Sequence, residues 1–185
     1  MKIVYVIGEP GSGKTTLMKR VMEESKVTKD IHSNENFPLV PFHTNNKNLI
    51  VLGKYAEGDV FGGTDKTSMA VQPQAIEFLK AIQKSSDNNI NITAEGDRLT
   101  TASFIEHIVE EYDATIYYLR TTPDVRQVRY KERGSNQNET WLNGRITKIQ
   151  NILTNFVVMN NVRRFDNNTF EDQQKVFDCI MKEIA

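Results

Sequence analysis

The chain has 185 residues, 38% hydrophobic and 25% charged, with ten glycines and five prolines. Those proportions fit a folded globular protein and exclude a collagen-like, disordered or disulfide-scaffold chain. With 23 basic and 24 acidic side chains the net charge is −1, which argues against nucleic-acid binding through a global positive charge and leaves a local basic face open.

A chain of this length buries about 70% of the surface it exposes when unfolded, so residues 1–185 are expected to form one domain without a structural metal. The single cysteine, Cys179, lies among Val176, Phe177 and Ile180 and reads as a core-facing thiol. No internal disulfide can form, which suits a reducing, cytoplasmic setting.

The first apolar run, Ile3 to Ile7, stops at Gly8. It is far short of the roughly 20 residues of a membrane span, so it is expected to be a buried strand with no membrane association. Thr15 to Glu24 follows as a helix with Leu17, Val21 and Met22 inward. Lys29 to Asn48 is rich in asparagine and reads mostly as loop, with a turn of helix. Leu49 to Gly53 is a second strand, and Gly58 to Ser68 a loop carrying Gly62 and Gly63.

A helix is predicted from Val71 to Lys84, with Pro73 in its first turn and Ile76, Leu79, Ala81 and Ile82 as its apolar stripe. Ile90 to Ala94 is a third strand. Thr101 to Tyr112 is a helix carrying Phe104, Ile105, Ile108 and Val109, and Ala114 to Leu119 a fourth strand. Thr122 as N-cap and Pro123 at the first helical position open another helix. Gly134 to Glu139 interrupts before a helix over Thr140 to Phe156. A fifth strand is expected at Val162 to Phe165, with Phe156 to Met159 competing for it. Thr169 and Asp172 have capping-box spacing at the start of the last helix. Alternating strands and helices predict a parallel sheet covered on both faces.

Gly8-Glu9-Pro10-Gly11-Ser12-Gly13-Lys14-Thr15 matches the phosphate-binding pattern G-x-x-x-x-G-K-[ST], directly after a strand and before a helix. Its backbone N–H groups and the helix N-terminus suit a polyphosphate, with Thr16 beside them. Lys14 is expected to reach the β- and γ-phosphates and the Thr15 hydroxyl to ligate Mg²⁺. The fold class that follows is α/β: a P-loop, kinase-like three-layer sandwich with about five parallel strands. The guanine-reading Asn/Thr-Lys-x-Asp order is absent, and motor ATPases are usually larger. A small P-loop chain with an arginine-rich segment after its fourth strand is similar to nucleoside and nucleotide kinases.

Glu95, at the end of the third strand, is the candidate metal-side carboxylate. Asp97 either contacts substrate or holds Arg98, and Arg98 either meets a phosphate or pairs with Asp97. In the loop after the second strand Asp65 is preferred to Asp59 as the base for an attacking hydroxyl, worth about 10² to 10⁴ in rate. Phe61 or Tyr55 could stack on a nucleobase or belong to the core. Between Arg120 and Lys148 seven basic residues face three acidic ones. Arg126, Arg129 and Arg133 share one helix face. They suggest a lid over residues 123–148, with a mobile tip after Gly134, that brings Arg126 and Arg129 onto the transferring phosphoryl group. Arg163, Arg164, Asn167 and Asn168 lie in or after the last strand, where such kinases hold adenine, which makes Asn167 a candidate nucleotide contact. His32, His43 and His107 have no metal-site spacing.

The P-loop together with Gly62-Gly63-Thr64-Asp65, Glu95-Gly96-Asp97-Arg98 and the later arginines resembles bacteriophage 5-hydroxymethyluracil DNA kinases of thymidine hypermodification. The resemblance implies transfer of the ATP γ-phosphoryl group, with Mg²⁺, to the hydroxymethyl group of a base extruded from phage DNA in the host cytoplasm. Asp65, Asp97, Arg98 and Phe61 would then meet the substrate. A kinase for free deoxynucleosides or nucleoside monophosphates is the alternative within the same fold. A nucleotide-binding regulatory module without an acceptor is the alternative of another class.

Overall fold

Every residue from Ile3 to Ile7 is apolar, and every one is buried, because both faces of this strand are covered. The computed structural model describes residues 1–59, 61–85, 90–134 and 137–185. Strands β1 (Lys2–Ile7), β2 (His32–Asn34), β3 (Phe37–Thr44), β4 (Leu49–Leu52), β5 (Asn91–Glu95), β6 (Asp113–Arg120) and β7 (Val162–Asp166) form one sheet in the order β2-β3-β4-β5-β1-β6-β7. The five strands β4, β5, β1, β6 and β7 are parallel. Strands β2 and β3 extend the sheet antiparallel.

Helices α1 (Lys14–Glu24), α2 (Val71–Ser85), α3 (Ala102–Glu111), α4 (Pro123–Glu132), α5 (Glu139–Thr154) and α6 (Phe170–Ile184) complete the chain. Alternation along β1 divides the core in two. Ile3, Tyr5 and Ile7 pack with residues of α2, α3 and α5, whereas Val4 and Val6 pack with α1 and α6. Cys179 is partly buried against the second cluster.

The hairpin of β2 and β3 replaces the loop expected over 29–48. Pro38 and Pro41 discourage a strand reading, since proline cannot donate to a ladder. Here they lie in the stretch between the pairs Asn34–Phe37 and His32–Phe42, where the β2–β3 register is irregular. In α2 the fully buried residues are Val71, Ala75, Phe78 and Leu79, so the inner face is rotated from the predicted stripe toward Phe78. Helix α5 ends at Thr154, and of the two candidates for the last strand the one at Val162 forms it, while Phe156 and Val157 are exposed. The caps follow the sequence: Thr169 and Asp172 form a capping box, and Thr101 accepts from the Phe104 N–H. Thr122 is the N-cap of α4 but makes no side-chain cap bond. Val60 of the loop before α2 and residues 135–136 of the predicted lid tip lie outside the described residues. No helix among those residues is long and apolar enough to cross a membrane.

Candidate active site

The glycine-rich loop joins β1, the centre of the parallel sheet, to α1. Gly13 has φ 89° and its Cα faces Asn167, whose Nδ2 would lie 2.6 Å from any added Cβ. Only glycine fits there. The loop carbonyls are occupied one by one. Lys14 Nζ donates to Gly8 O (2.8 Å) and Glu9 O (3.2 Å). The Tyr130 hydroxyl donates to Pro10 O (2.6 Å), Arg129 Nη1 to Gly11 O (3.1 Å) and Asn167 Nδ2 to Ser12 O (2.6 Å). Arg129 Nη2 also donates to Asn167 O at 2.9 Å. One face of α4 therefore rests on the loop.

Glu9 is a P-loop side chain turned inward. It is buried, accepts from the Tyr118 hydroxyl at 2.8 Å and stands 3.6 Å from Arg126 Nη1. Burial is the largest of the effects that raise the Tyr118 pKa, with the hydrogen bond to Glu9 next. Desolvation lowers the Arg129 pKa. Thr16 is exposed on α1.

At the end of β5, Glu95 is wholly buried. Its Oε1 accepts from the Thr15 hydroxyl at 3.0 Å and from the Tyr55 hydroxyl at 3.4 Å, while Oε2 is buried without a partner. Burial pushes the Glu95 carboxyl up to about 7, the Lys14 charge opposing and Asp65 adding to the rise. A buried carboxylate with an orphaned oxygen, next to a hydroxyl at the head of the P-loop helix, fits a hard cation with oxygen ligands such as Mg²⁺. Tyr55 is buried, and its backbone N–H donates to His43 Nε2 at 3.1 Å. With Nε2 accepting, the ring proton sits on Nδ1, 3.2 Å from Thr28 O, and burial lowers the His43 pKa.

Two loops meet beyond Glu95. Gly96 has φ 114°, and a Cβ there would lie 2.6 Å from Thr64 Oγ1 and 2.8 Å from the Asp65 nitrogen. Its carbonyl accepts from Tyr5 (2.9 Å) and Thr100 (2.6 Å). Asp65 Oδ1 accepts the Asp97 backbone N–H. Asp97 does not hold Arg98. Its carboxylate meets Arg145 Nη1 at 2.7 Å and Lys148 Nζ at 2.9 Å, fastening α5 to the end of β5. Asp59 is held by Lys66 at 2.6 Å, which keeps its carboxyl below the usual range.

A cavity of about 400 Å³ lies between these parts, with Gly8, Gly11, Gly13, Lys14 and Thr15 on one wall and Asp65, Asp97 and Arg98 on another. Phe61 lines it and is 41% exposed. Arg126, Arg129 and Asn167 do not line it; Arg133 and Arg145 do. The expectation that Arg126 and Arg129 face the transferring group differs from the structure because Glu9 and the loop carbonyls engage them first. Trp141, which sequence reasoning missed, also lines the cavity, with Arg145 stacked 4.9 Å from its ring centre. The four-residue spacing of the single tryptophan from Arg145 was the available signal.

Solved structures share this fold. A sugar kinase from Janibacter sp. HTCC2649 superposes with a TM-score of 0.53 at 15% identity, covering 100% of this chain and 96% of that one. Shikimate kinase from Bacteroides thetaiotaomicron gives 0.50 at 14% identity, covering 98% and 97%. None of the curated proteins matches the chain. The model of the P-loop Nucleotide Kinase3 family matches residues 1–184, and the chain belongs to that family of P-loop kinases.

Proposed function

We propose that the protein transfers the γ-phosphoryl group of ATP to a hydroxyl group, and that its acceptor is the hydroxymethyl group of 5-hydroxymethyluracil in DNA. The observation that carries the transfer chemistry is the shared cavity, which has the P-loop on one wall and Asp65 on the other. Asp65 Oδ1 is bound by the Asp97 N–H, which orients the carboxylate and leaves Oδ2 without a hydrogen bond among the described residues. In this reading Oδ2 accepts the proton of the attacking hydroxyl. The hydroxyl oxygen bonds to the γ-phosphorus, the bond to the β,γ-bridging oxygen breaks, and ADP leaves.

Lys14 moves from its two loop carbonyls to the phosphates, and the loop from Gly8 to Thr16 holds the triphosphate through the backbone N–H groups of Gly11, Gly13, Lys14, Thr15 and Thr16. Thr15 and Glu95 would hold Mg²⁺, which neutralises charge on the phosphoryl oxygens. Residues 123–134 and 137–148 act as a lid in two parts of the one 185-residue domain. In α4, Arg126 and Arg129 fix the loop, while Arg133 and Arg145 bring guanidinium charge to the cavity. Asn167 holds the loop from the β7 side, and Phe61 and Trp141 offer stacking faces for a base.

The acceptor assignment is supported by the resemblance carried by Gly62-Gly63-Thr64-Asp65 and Glu95-Gly96-Asp97-Arg98. A free deoxynucleoside or nucleoside monophosphate is the second reading, favoured by the net charge of −1, which gives little long-range attraction for a polyanion. The test is transfer of labelled γ-phosphate to DNA containing 5-hydroxymethyluracil, to thymine DNA, and to free nucleosides and nucleotides. Label in the modified DNA alone is the expected result. Label confined to the free panel moves the acceptor to a free nucleoside or nucleotide, and no acceptor-dependent label in any arm refutes the kinase reading.

A further inference from the structure

We infer that Tyr5 and Thr100 are positioning residues for Asp65, acting on it through the single peptide group between Gly96 and Asp97. The inference rests on the reading of Asp65 as the base that takes the acceptor's proton, and it names two further side chains on which that base depends. The two ends of this peptide group are engaged differently. Its N–H, on Asp97, donates to Asp65 Oδ1. Its carbonyl, on Gly96, accepts from the Tyr5 hydroxyl at 2.9 Å and from the Thr100 hydroxyl at 2.6 Å.

A peptide group is planar, so fixing the direction of the carbonyl also fixes the direction of the N–H on its far side. The two hydroxyls fill both lone pairs of Gly96 O, and turning the group would break two buried hydrogen bonds at once. Donation to the carbonyl also polarises the group and strengthens the hydrogen bond that its N–H gives to a carboxylate. With no side chain on Gly96, the turn lies directly against Thr64 and the Asp65 backbone.

Tyr5 stands in the middle of β1 between Val4 and Val6, wholly buried, with its ring 6.1 Å from that of Phe104. Phenylalanine would fill the same space. The hydroxyl is a polar atom carried into the core, which is costly unless it is bonded. Burial raises its pKa, so the hydroxyl keeps its proton and donates. Thr100 is also buried, with its Oγ1 3.4 Å from the Tyr5 oxygen. Thr100 lines the cavity and Tyr5 does not, so Tyr5 acts on the chemistry only through other residues and carries the sharper test.

The test is a double-variant cycle of Tyr5→Phe and Asp65→Asn, read by single-turnover transfer of labelled γ-phosphate. The acceptors are an oligonucleotide containing 5-hydroxymethyluracil and free 5-hydroxymethyl-2′-deoxyuridine. Tyr5→Phe is expected to lower the rate about tenfold with ATP affinity within about twofold of wild type. In the Asp65→Asn protein the same change should lower it less than about twofold, because no base is left to orient. A merely structural role would give the same factor in both backgrounds. Thr100→Val should also lose about tenfold, and Thr100→Ser, which keeps the donor, should hold the wild-type rate. In NMR spectra the Asp97 amide proton should move upfield in Tyr5→Phe and in Thr100→Val.

A wild-type rate in Tyr5→Phe overturns the inference, as does an equal loss in both backgrounds. If Tyr5→Phe fails to fold, the Thr100 variants decide, and equal rates in Thr100→Val and Thr100→Ser overturn it. A wild-type rate in Asp65→Asn alone refutes the reading of Asp65 as the base, and absence of label in either acceptor refutes the phosphoryl-transfer reading instead. In both of those cases the Asp97 amide still decides whether the hydroxyls set the peptide group, and a resonance unmoved by Tyr5→Phe overturns the inference.

Discussion

The two walls of the cavity are built in opposite ways. On the donor wall each carbonyl from Gly8 to Ser12 accepts a hydrogen bond, from Lys14, Tyr130, Arg129 or Asn167. Ser12 N–H donates to Glu9 O inside the loop, and with the acceptors occupied the remaining N–H groups are left to offer an anion. On the acceptor wall the polar groups are linked more sparsely: Asp65 by one backbone N–H, Asp97 by two cations of α5, and Arg98 by nothing among the described residues. One wall is a finished cradle, and the other has bonding capacity left unused.

The largest effect should come from the side chain that must leave the finished wall. Lys14→Ala is expected to reduce transfer about 10³-fold or more while thermal melting shows an intact fold. Normal turnover in that variant would remove the P-loop from the chemistry. Arg129→Ala strips hydrogen bonds from Gly11 O and Asn167 O, and should raise the KM for ATP about tenfold or more with a smaller change in kcat. Tyr130→Phe removes one hydrogen bond from Pro10 O and should raise the same KM about fivefold. Steady-state kinetics with ATP varied separates these from acceptor effects, and a change confined to the KM for acceptor would break the division into two walls.

The smallest effect concerns stability. The Glu95 carboxyl, raised by burial to about 7 from an ordinary 4.5, binds its proton more tightly folded than unfolded. The metal-free protein should therefore lose stability as pH rises from about 4.5 to about 7, by up to about 3 kcal/mol. Glu95→Gln removes that slope. Melting temperatures of the two proteins should diverge between pH 5 and 8, with the variant the more stable at the upper end, and a constant difference would contradict the burial account.

The donor wall was legible in the sequence because it is local. Eight consecutive residues between a buried strand and a helix carry it, and the parallel strands announce themselves by apolar runs such as Ile3 to Ile7. What was not legible depends on contacts distant in sequence. Arg126 and Arg129 share a helix face in any reading, but only the fold shows that Glu9 and Gly11 O capture them. Asp97 and Arg98 are neighbours along the chain, yet the ion pairs of Asp97 come from α5, some fifty residues on. The β2–β3 hairpin was hidden because Pro38 and Pro41 suppress the strand pattern, and the irregular register that accommodates them is a property of the pairing.

The most direct test of the central claim, that Asp65 and the P-loop face one another across a phosphoryl-transfer site, is single-turnover transfer of labelled phosphate by wild type and Asp65→Asn. ATP affinity is measured in parallel. A fall in rate of about 10² to 10⁴, with ATP binding within about twofold of wild type, is the predicted result. An unchanged rate in Asp65→Asn would contradict the account and pass the base to Asp59, Glu95 or Asp97.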